Sequence, residues 1–367
     1  MIYAGLFVLA CCAVWLVGLI VRKIELHRRG WTVFAVLSIL GMALVALSAA
    51  EPPESWDLSR HYALIESMKA GGIRYVMNES VYAHLPVTNA LYGFVAFIGP
   101  PQLLPCLTSI ICYGILAYII ADCGKRYSID SRVIGCLIVF NLAFCPFLHM
   151  VSGIRNILAY SVAALGFYKD FAQRKRITGF VIYASSIFIH PSATLIVGLR
   201  FVYPFFKKWR WIGLALATWS LLATAFSQIL IRVPVVFVSN IGYKLYEYTN
   251  SDTIQFTGYM ILFVKFVFIV AMLVMLEYYR RHTDQPLSKV DNNLVLALEM
   301  IVLVAVGAFK TPFIADRMFY FIAFFAVPAF IMLYNRSQGR IRYILAAGSA
   351  GVGLLSFAHQ CLYFINS

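Results

Sequence analysis

The chain has 367 residues, of which 62% are hydrophobic and only 13% charged, and its mean hydropathy is +0.81. A soluble protein carries roughly a quarter of its residues as charge, so there is too little here to cover a water-facing surface, and a soluble globular fold is excluded. The formal charge of +14 does not indicate nucleic acid, because twenty of the thirty Lys and Arg residues fall in short connectors between apolar runs, as in the positive-inside pattern of membrane proteins.

A hydrocarbon core about 30 Å thick takes roughly 20 apolar residues per helical crossing. Strand-type alternation is absent, so the expected fold class is an all-α polytopic membrane bundle. In chain order, the run 2–21 has no basic residue ahead of it and Arg22, Lys23, Arg28 and Arg29 behind it. That charge order sets its N-terminus outside and argues against a cleaved signal. The run 31–50 returns outward, and 51–102 forms the first extracytoplasmic loop. Within that loop Leu85–Ile98 is expected to lie in the outer interface or dip into it as a re-entrant helix, split by Gly99-Pro100-Pro101 from a spanning run at 103–121. Reading Leu85 to Ala121 as a tight hairpin of two spans would invert every later connector and put Arg174-Lys175-Arg176 outside, against the charge rule. Further crossings follow at 132–149, 154–172, 177–190, 191–206, 211–231, 255–279, 292–310, 316–334 and 343–363, about twelve in all. Residues 1–367 thus read as one integral membrane domain, with a second large extracytoplasmic loop at 232–254.

The eight Cys lie mostly inside apolar runs without a CxxC pair and read as small core residues. The seven His show no metal-ligand spacing and no Gly-rich phosphate loop is present, so neither metal nor cofactor is expected.

Four outer segments carry groups able to do chemistry. The first reads Glu51-Pro-Pro-Glu54-Ser-Trp-Asp57-Leu-Ser-Arg60-His61-Tyr62; a carboxylate or imidazole there can serve as a general base, although Asp57 can equally cap a helix. The second, His149-Met-Val-Ser152-Gly153-Ile-Arg155-Asn156, sets Arg155 at a helix start. A helix N-terminus favours anions, and a guanidinium adds bidentate capture of phosphate oxygens. The third is His190-Pro191-Ser192, an imidazole able to take a proton from a sugar hydroxyl or to sit as a satisfied core group. The fourth, Lys310-Thr-Pro-Phe-Ile-Ala-Asp316-Arg317, is expected to open a helix at Arg317 much as Arg155 does. In the loop 232–254, Tyr243, Tyr246 and Tyr248 suit either an aromatic belt or sugar stacking. Lys265 and Glu299, well inside spans, read as a buried structural ion pair or as a proton relay. On this topology Asp57, Arg60, Arg155, His190, Lys310 and Arg317 share one face. Outside the cell there is no ATP or nucleotide sugar, so an activated donor arrives on lipid, most simply as a polyprenyl phosphate or pyrophosphate.

At these residues the chain resembles the Wzy-type polysaccharide polymerases, in their EpsG-like branch. The resemblance rests on Asp57 with Tyr62 in the first outer loop, on Gly153-Ile-Arg155-Asn156, on His190-Pro191-Ser192-Ala193, and on Asp316-Arg317 followed by Tyr320. Asn156 departs from the Gln that often follows the Gly-x-Arg arginine in that branch. The resemblance implies a metal-independent glycosyltransferase with the C-type membrane bundle, joining polyprenyl-pyrophosphate-linked oligosaccharide repeat units into a surface polysaccharide. It implies that Arg155 and Arg317 hold the pyrophosphate and that His190 or Asp57 deprotonates the acceptor hydroxyl. Arg60 and the Tyr-rich loop with Tyr243 would then position the glycan, and His61, Tyr62, Asn156 and Lys310 would add substrate contacts. The partners it implies are the lipid-linked glycan and membrane lipid, with room for a chain-length regulator and none for nucleic acid. The location it implies is the bacterial inner membrane, with the site facing the periplasm or exterior. Two other readings stay open, a transferase adding one sugar from a polyprenyl-phosphate donor and a transporter of lipid-linked glycan.

Overall fold

A computed structural model describes residues 28–48, 57–234, 256–282, 287–308 and 311–366, together with 239, 242, 243 and 245–247. Among them the secondary structure is helical throughout, with no strand. The run 2–21, Lys310 and most of the loop 232–254 lie outside the described residues.

Within the first outer segment, the described residues are helical from Asp57. After α1 (Arg28–Leu47), α2 covers Asp57–Arg74 and runs into a wider turn at Tyr75–Glu79. Gly72, with φ of 64°, makes the bend there, a conformation that a residue with a Cβ adopts at a cost. Then come α3 (Pro86–Ile98), α4 (Leu103–Arg126), α5 (Ser131–Phe144) and the single turn α6 (Phe147–Val151). The central helix α7 (Ile154–Phe167) continues through a wide turn at Tyr168–Ala172. It is followed by α8 (Arg176–Ile189), α9 (Ala193–Lys208), α10 (Ile212–Thr218) and α11 (Ala223–Ile231). The remaining helices are α12 (Phe256–His282), α13 (Lys289–Gly307), α14 (Pro312–Phe325), α15 (Val327–Arg336) and α16 (Gly339–Asn366).

Described helices cover the apolar runs from residue 31 onward, and the molecule is a membrane protein. By length and composition, four of the described helices suffice to cross a bilayer, α4, α12, α13 and α16. The number rises to six if the bent pairs α10–α11 (76°) and α14–α15 (49°) each count as one span. That is the coarser result behind the expected twelve. The α3 helix has 13 residues, about 20 Å at 1.5 Å per residue, which is short of the roughly 30 Å core.

Packing centres on α7, which touches α4, α6, α8, α9 and α14. Its small residues Ala159, Ser161, Ala163, Ala164 and Gly166 are buried, and small side chains are what let helix backbones approach closely in a bilayer. At Gly166 a Cβ would stand 2.7 Å from the Tyr183 ring and 3.3 Å from the Gly179 carbonyl, so α7 and α8 meet almost backbone to backbone. Beyond Asp316 and Arg317 in its first half, α14 is almost wholly apolar, and Met318 through Phe325 are all buried, as a helix surrounded by others requires.

At the end of the bundle carrying the basic connectors, polar side chains tie helix ends together. Tyr168 donates to Asp122 at 2.6 Å and Tyr127 to Asp291 at 2.6 Å. Arg126 donates to the Ala172 carbonyl, and Arg200 pairs with the buried Asp170. Glu299, expected in a buried pair, is held by Arg210 and is partly exposed. Lys265 is buried (7% exposed) and lies over the rings of Phe319 at 4.8 Å and Phe144 at 5.6 Å. The two groups thus make separate interactions, and no pair joins them.

Candidate active site

The other end of the bundle collects the remaining chemistry. Arg155 is the second residue of α7, directly after the Gly153 turn. Its guanidinium carbon stands 4.2 Å from the centroid of the Tyr82 ring, a distance at which ring quadrupole and cation attract. Tyr82 stacks on Tyr92 with centroids 5.5 Å apart, and Tyr92 stacks on His61, also at 5.5 Å. The three rings and the guanidinium form one column, carried by α2, the segment before α3, α3 itself and α7. Two anchors fix α3 in it. Thr88 donates to the Ile189 carbonyl at 2.6 Å, and Asn89 to the Val76 carbonyl at 2.5 Å. Within the column the Arg155 Nε and the Tyr92 hydroxyl are buried without a hydrogen-bond partner. A buried donor left unsatisfied costs about 1–3 kcal/mol, more when charged.

His190 caps α8, and its Nδ1 lies 3.1 Å from the Ser192 backbone nitrogen and 2.7 Å from Ser192 Oγ. The backbone N–H can only donate, so Nδ1 accepts and the neutral ring carries its proton on Nε2. The single Ser192 hydroxyl hydrogen has a second acceptor within reach, Asn156 Oδ1 at 3.3 Å, beside Arg155,. Burial, followed by the positive charges of Arg155 and Arg317, pushes the His190 pKa down to about 3. Burial first, and then Arg155, pushes His61 down to about 4, with Asp57 pulling the other way. Both imidazoles are therefore neutral near pH 7, and His190 presents an N–H rather than a free lone pair.

A second cluster lies next to this one. Tyr160 on α7 donates to the Ser192 carbonyl at 3.4 Å and sets its ring edge-on to Tyr320, 6.3 Å away. The Tyr320 hydroxyl donates to the Asp316 carboxylate and lies 2.9 Å from His149 Nδ1. His149 and Tyr320 also pack ring to ring at 4.6 Å.

Of the sequence-predicted residues, the structure brings Arg155, Asn156, His190 and His61 into one contiguous site, with Arg317 acting on it through its charge. Asp57 starts α2 and pairs with Arg60 at 3.5 Å, both side chains more than half exposed, at the rim. Tyr62 is buried at 8% exposure and joins the apolar core. Tyr243 is exposed on a segment folded against α11, where a Cβ at Gly242 would meet the Ile231 nitrogen at 2.7 Å. Lys310 lies outside the described residues. Arg317 does not open its helix, because α14 begins at Pro312. It sits in the second turn, where the helix dipole has largely faded. Sequence reasoning missed Tyr82 and Tyr92. A tyrosine in an outer segment reads as interface decoration, and nothing local marks these two as stacking partners of a histidine and an arginine. Among the described residues no group of three or more His, Cys, Asp or Glu could hold a metal ion.

The family model of the EpsG family matches residues 89–363. The chain belongs to the EpsG family. Membership makes it a membrane enzyme of the glycosyltransferase and polysaccharide-polymerase kind. The match takes in α7, the His190 turn and α14, while Asp57 to Tyr82 precede it. No curated protein and no solved structure matches the chain significantly.

Proposed function

We propose that this EpsG-family chain joins polyprenyl-pyrophosphate-linked oligosaccharide repeat units into a surface polysaccharide, acting on the extracytoplasmic face of the bacterial inner membrane through about twelve crossings. The observation that carries the reading is Arg155. It is a half-buried guanidinium with a buried, unpartnered Nε, set over the Tyr82 ring, beside a neutral imidazole and within the field of a second arginine. A planar fork of donors matches the oxygens of a pyrophosphate leaving group. A water-poor site strengthens its hold on the charge that develops as the glycosyl bond breaks.

In this reading Arg155 and Arg317 bind the pyrophosphate of the donor. His190 Nε2–H and the Tyr92 hydroxyl add neutral donors, and Asn156 with Ser192 keeps the His190 ring oriented. The His61–Tyr92–Tyr82 column offers ring faces to sugars, while Asp57 and Arg60 at the rim meet the incoming acceptor. Lys310 and Tyr243, proposed on the sequence alone, belong to the outer glycan path. No metal takes part. The reading is tested with purified protein in proteoliposomes given a synthetic polyprenyl-pyrophosphate repeat unit. Products two and more repeats long are expected, and hydrolysis or unchanged single units would refute it.

A further inference from the structure

The proposal above leaves the base that accepts the proton of the attacking hydroxyl without a fitting group. His190 Nδ1 already accepts the Ser192 backbone N–H, and Asp57 is a rim carboxylate paired with Arg60. The second cluster supplies what is missing. An ionised carboxylate only accepts, so the contact between Asp316 and Tyr320 uses the single Tyr320 hydroxyl hydrogen,. The hydroxyl oxygen is then left to accept, and the group facing it at 2.9 Å is His149 Nδ1, which must carry a proton. His149 Nε2 consequently holds the free lone pair. It stands 3.9 Å from Asp316 Oδ2, too far for a hydrogen bond but close enough for the carboxylate to stabilise an imidazolium,. His149 and Asp316 are each about one-third exposed, at 34% and 35%, so a substrate can reach them.

We infer that His149 is the general base of this site, with Tyr320 and Asp316 fixing its tautomer and supporting its charged form. The inference rests on the polymerase reading. In the step it serves, His149 Nε2 takes the proton of the acceptor sugar hydroxyl as that oxygen bonds to the anomeric carbon of the donor glycan. The bond from that carbon to the polyprenyl pyrophosphate breaks, its electron pair goes to the phosphate oxygen held by Arg155 and Arg317, and His149 later returns its proton to water. His149 is a catalytic residue in this scheme, and Tyr320 and Asp316 are positioning residues. Tyr160, touching both Tyr320 and the Ser192 carbonyl, keeps the base beside the leaving-group half. Besides Asp316, the charged and titratable groups acting on His149 are Arg317 from α14, Lys265 from α12 and His359 from α16.

The test uses full-length protein in proteoliposomes with the synthetic repeat-unit lipid, measuring turnover and lipid affinity for each variant. His149→Ala is expected to lose about 10²–10⁴-fold in turnover with affinity for the lipid unchanged, and to regain part of it when imidazole is added. Asp316→Asn, which keeps the shape and removes the charge, is expected to move the acid limb of the pH–rate profile to lower pH, because the imidazolium loses its counter-charge. Tyr320→Phe, which keeps the ring contact with His149, should fold even if His149→Ala does not, and should lower turnover about tenfold without weakening lipid binding. The inference is overturned if His149→Ala or Tyr320→Phe keeps wild-type turnover. It is equally overturned if lipid affinity falls in step with turnover, or if His190→Ala is the variant that imidazole rescues. Should wild-type protein form no polymer at all, the polymerase reading fails first and takes this assignment with it.

Discussion

Arg155 concentrates the energetics of the site. Its charge is half-buried, its ring partner Tyr82 stabilises the plane of the guanidinium, and its Nε has no protein acceptor. Lysine keeps the charge but neither stacks nor forks, so Arg155→Lys is expected to lose at least 100-fold in polymer formation, nearly as much as Arg155→Ala. Removing the ring instead should be milder. A partly desolvated cation–π contact is worth about 1–2 kcal/mol, so Tyr82→Leu is expected to weaken donor-lipid binding about tenfold in an equilibrium assay. His61 gives a prediction of a different kind. Its folded pKa is depressed to about 4 against 6.5 unfolded, so the unfolded chain binds the extra proton across that interval. Its stabilising contribution is complete above pH 6.5 and is lost as pH falls toward 4, on the order of 3 kcal/mol at 1.36 kcal/mol per unit. Thermal melts in detergent should therefore fall between pH 7 and pH 5, and less steeply in His61→Phe. At this scale the sequence pointed to Arg155, Asn156, His190 and His61, because polar side chains beside apolar runs stand out. It hid Tyr82 and Tyr92, whose role comes only from being stacked, and the use of His149, which depends on a hydroxyl 171 residues away.

Helices position these groups through close approach rather than long side chains. Both α7 and α8 meet at Gly166 and Gly179, and the second of these also lies 3.0 Å from the Asp170 Cβ by the same measure of an added Cβ. About three turns from this contact, α7 carries Arg155 and α8 leads into His190, so their spacing is inherited from it. Gly166→Ala must displace the Tyr183 ring and is expected to cost about 1–3 kcal/mol. A Cβ at Gly307 would instead stand 2.3 Å from the Leu216 backbone carbonyl, which cannot rotate away. Gly307→Ala should thus destabilise more than Gly166→Ala, as read from the temperature at which each loses its monodisperse peak in detergent. Helix positions were legible from apolar runs, but only four to six of the described helices are long and apolar enough to cross, against about twelve expected crossings. The start of α14 was not legible, because Thr311-Pro312 begins the helix with an apolar turn and so conceals Arg317 inside it rather than at its head.

For the whole molecule, charge distribution and side-chain contacts agree on two unlike ends. One carries the basic connectors and the Asp122, Asp291 and Asp170 contacts, the other the histidines, tyrosines and Arg155. Single cysteines in a cysteine-free background test which way the molecule faces. Replacements at the exposed Asp130 and Gln338 are expected to resist an impermeant thiol reagent in intact cells, and one at the exposed His84 to react. Labelling at the first two would invert the topology. The bundle was legible in composition because a bilayer leaves helices as the main solution, whereas which helices cross fully depends on bends such as those between α10 and α11 that no hydropathy run records. The central claim, polymerisation through Arg155, is tested most directly by a glycan-stained gel of surface polysaccharide. Cells lacking the chain would be complemented with wild type or Arg155→Ala at equal expression. A long-chain ladder restored by wild type and absent with Arg155→Ala, while single-repeat glycan persists, is the expected result. A full-length ladder with Arg155→Ala would contradict it.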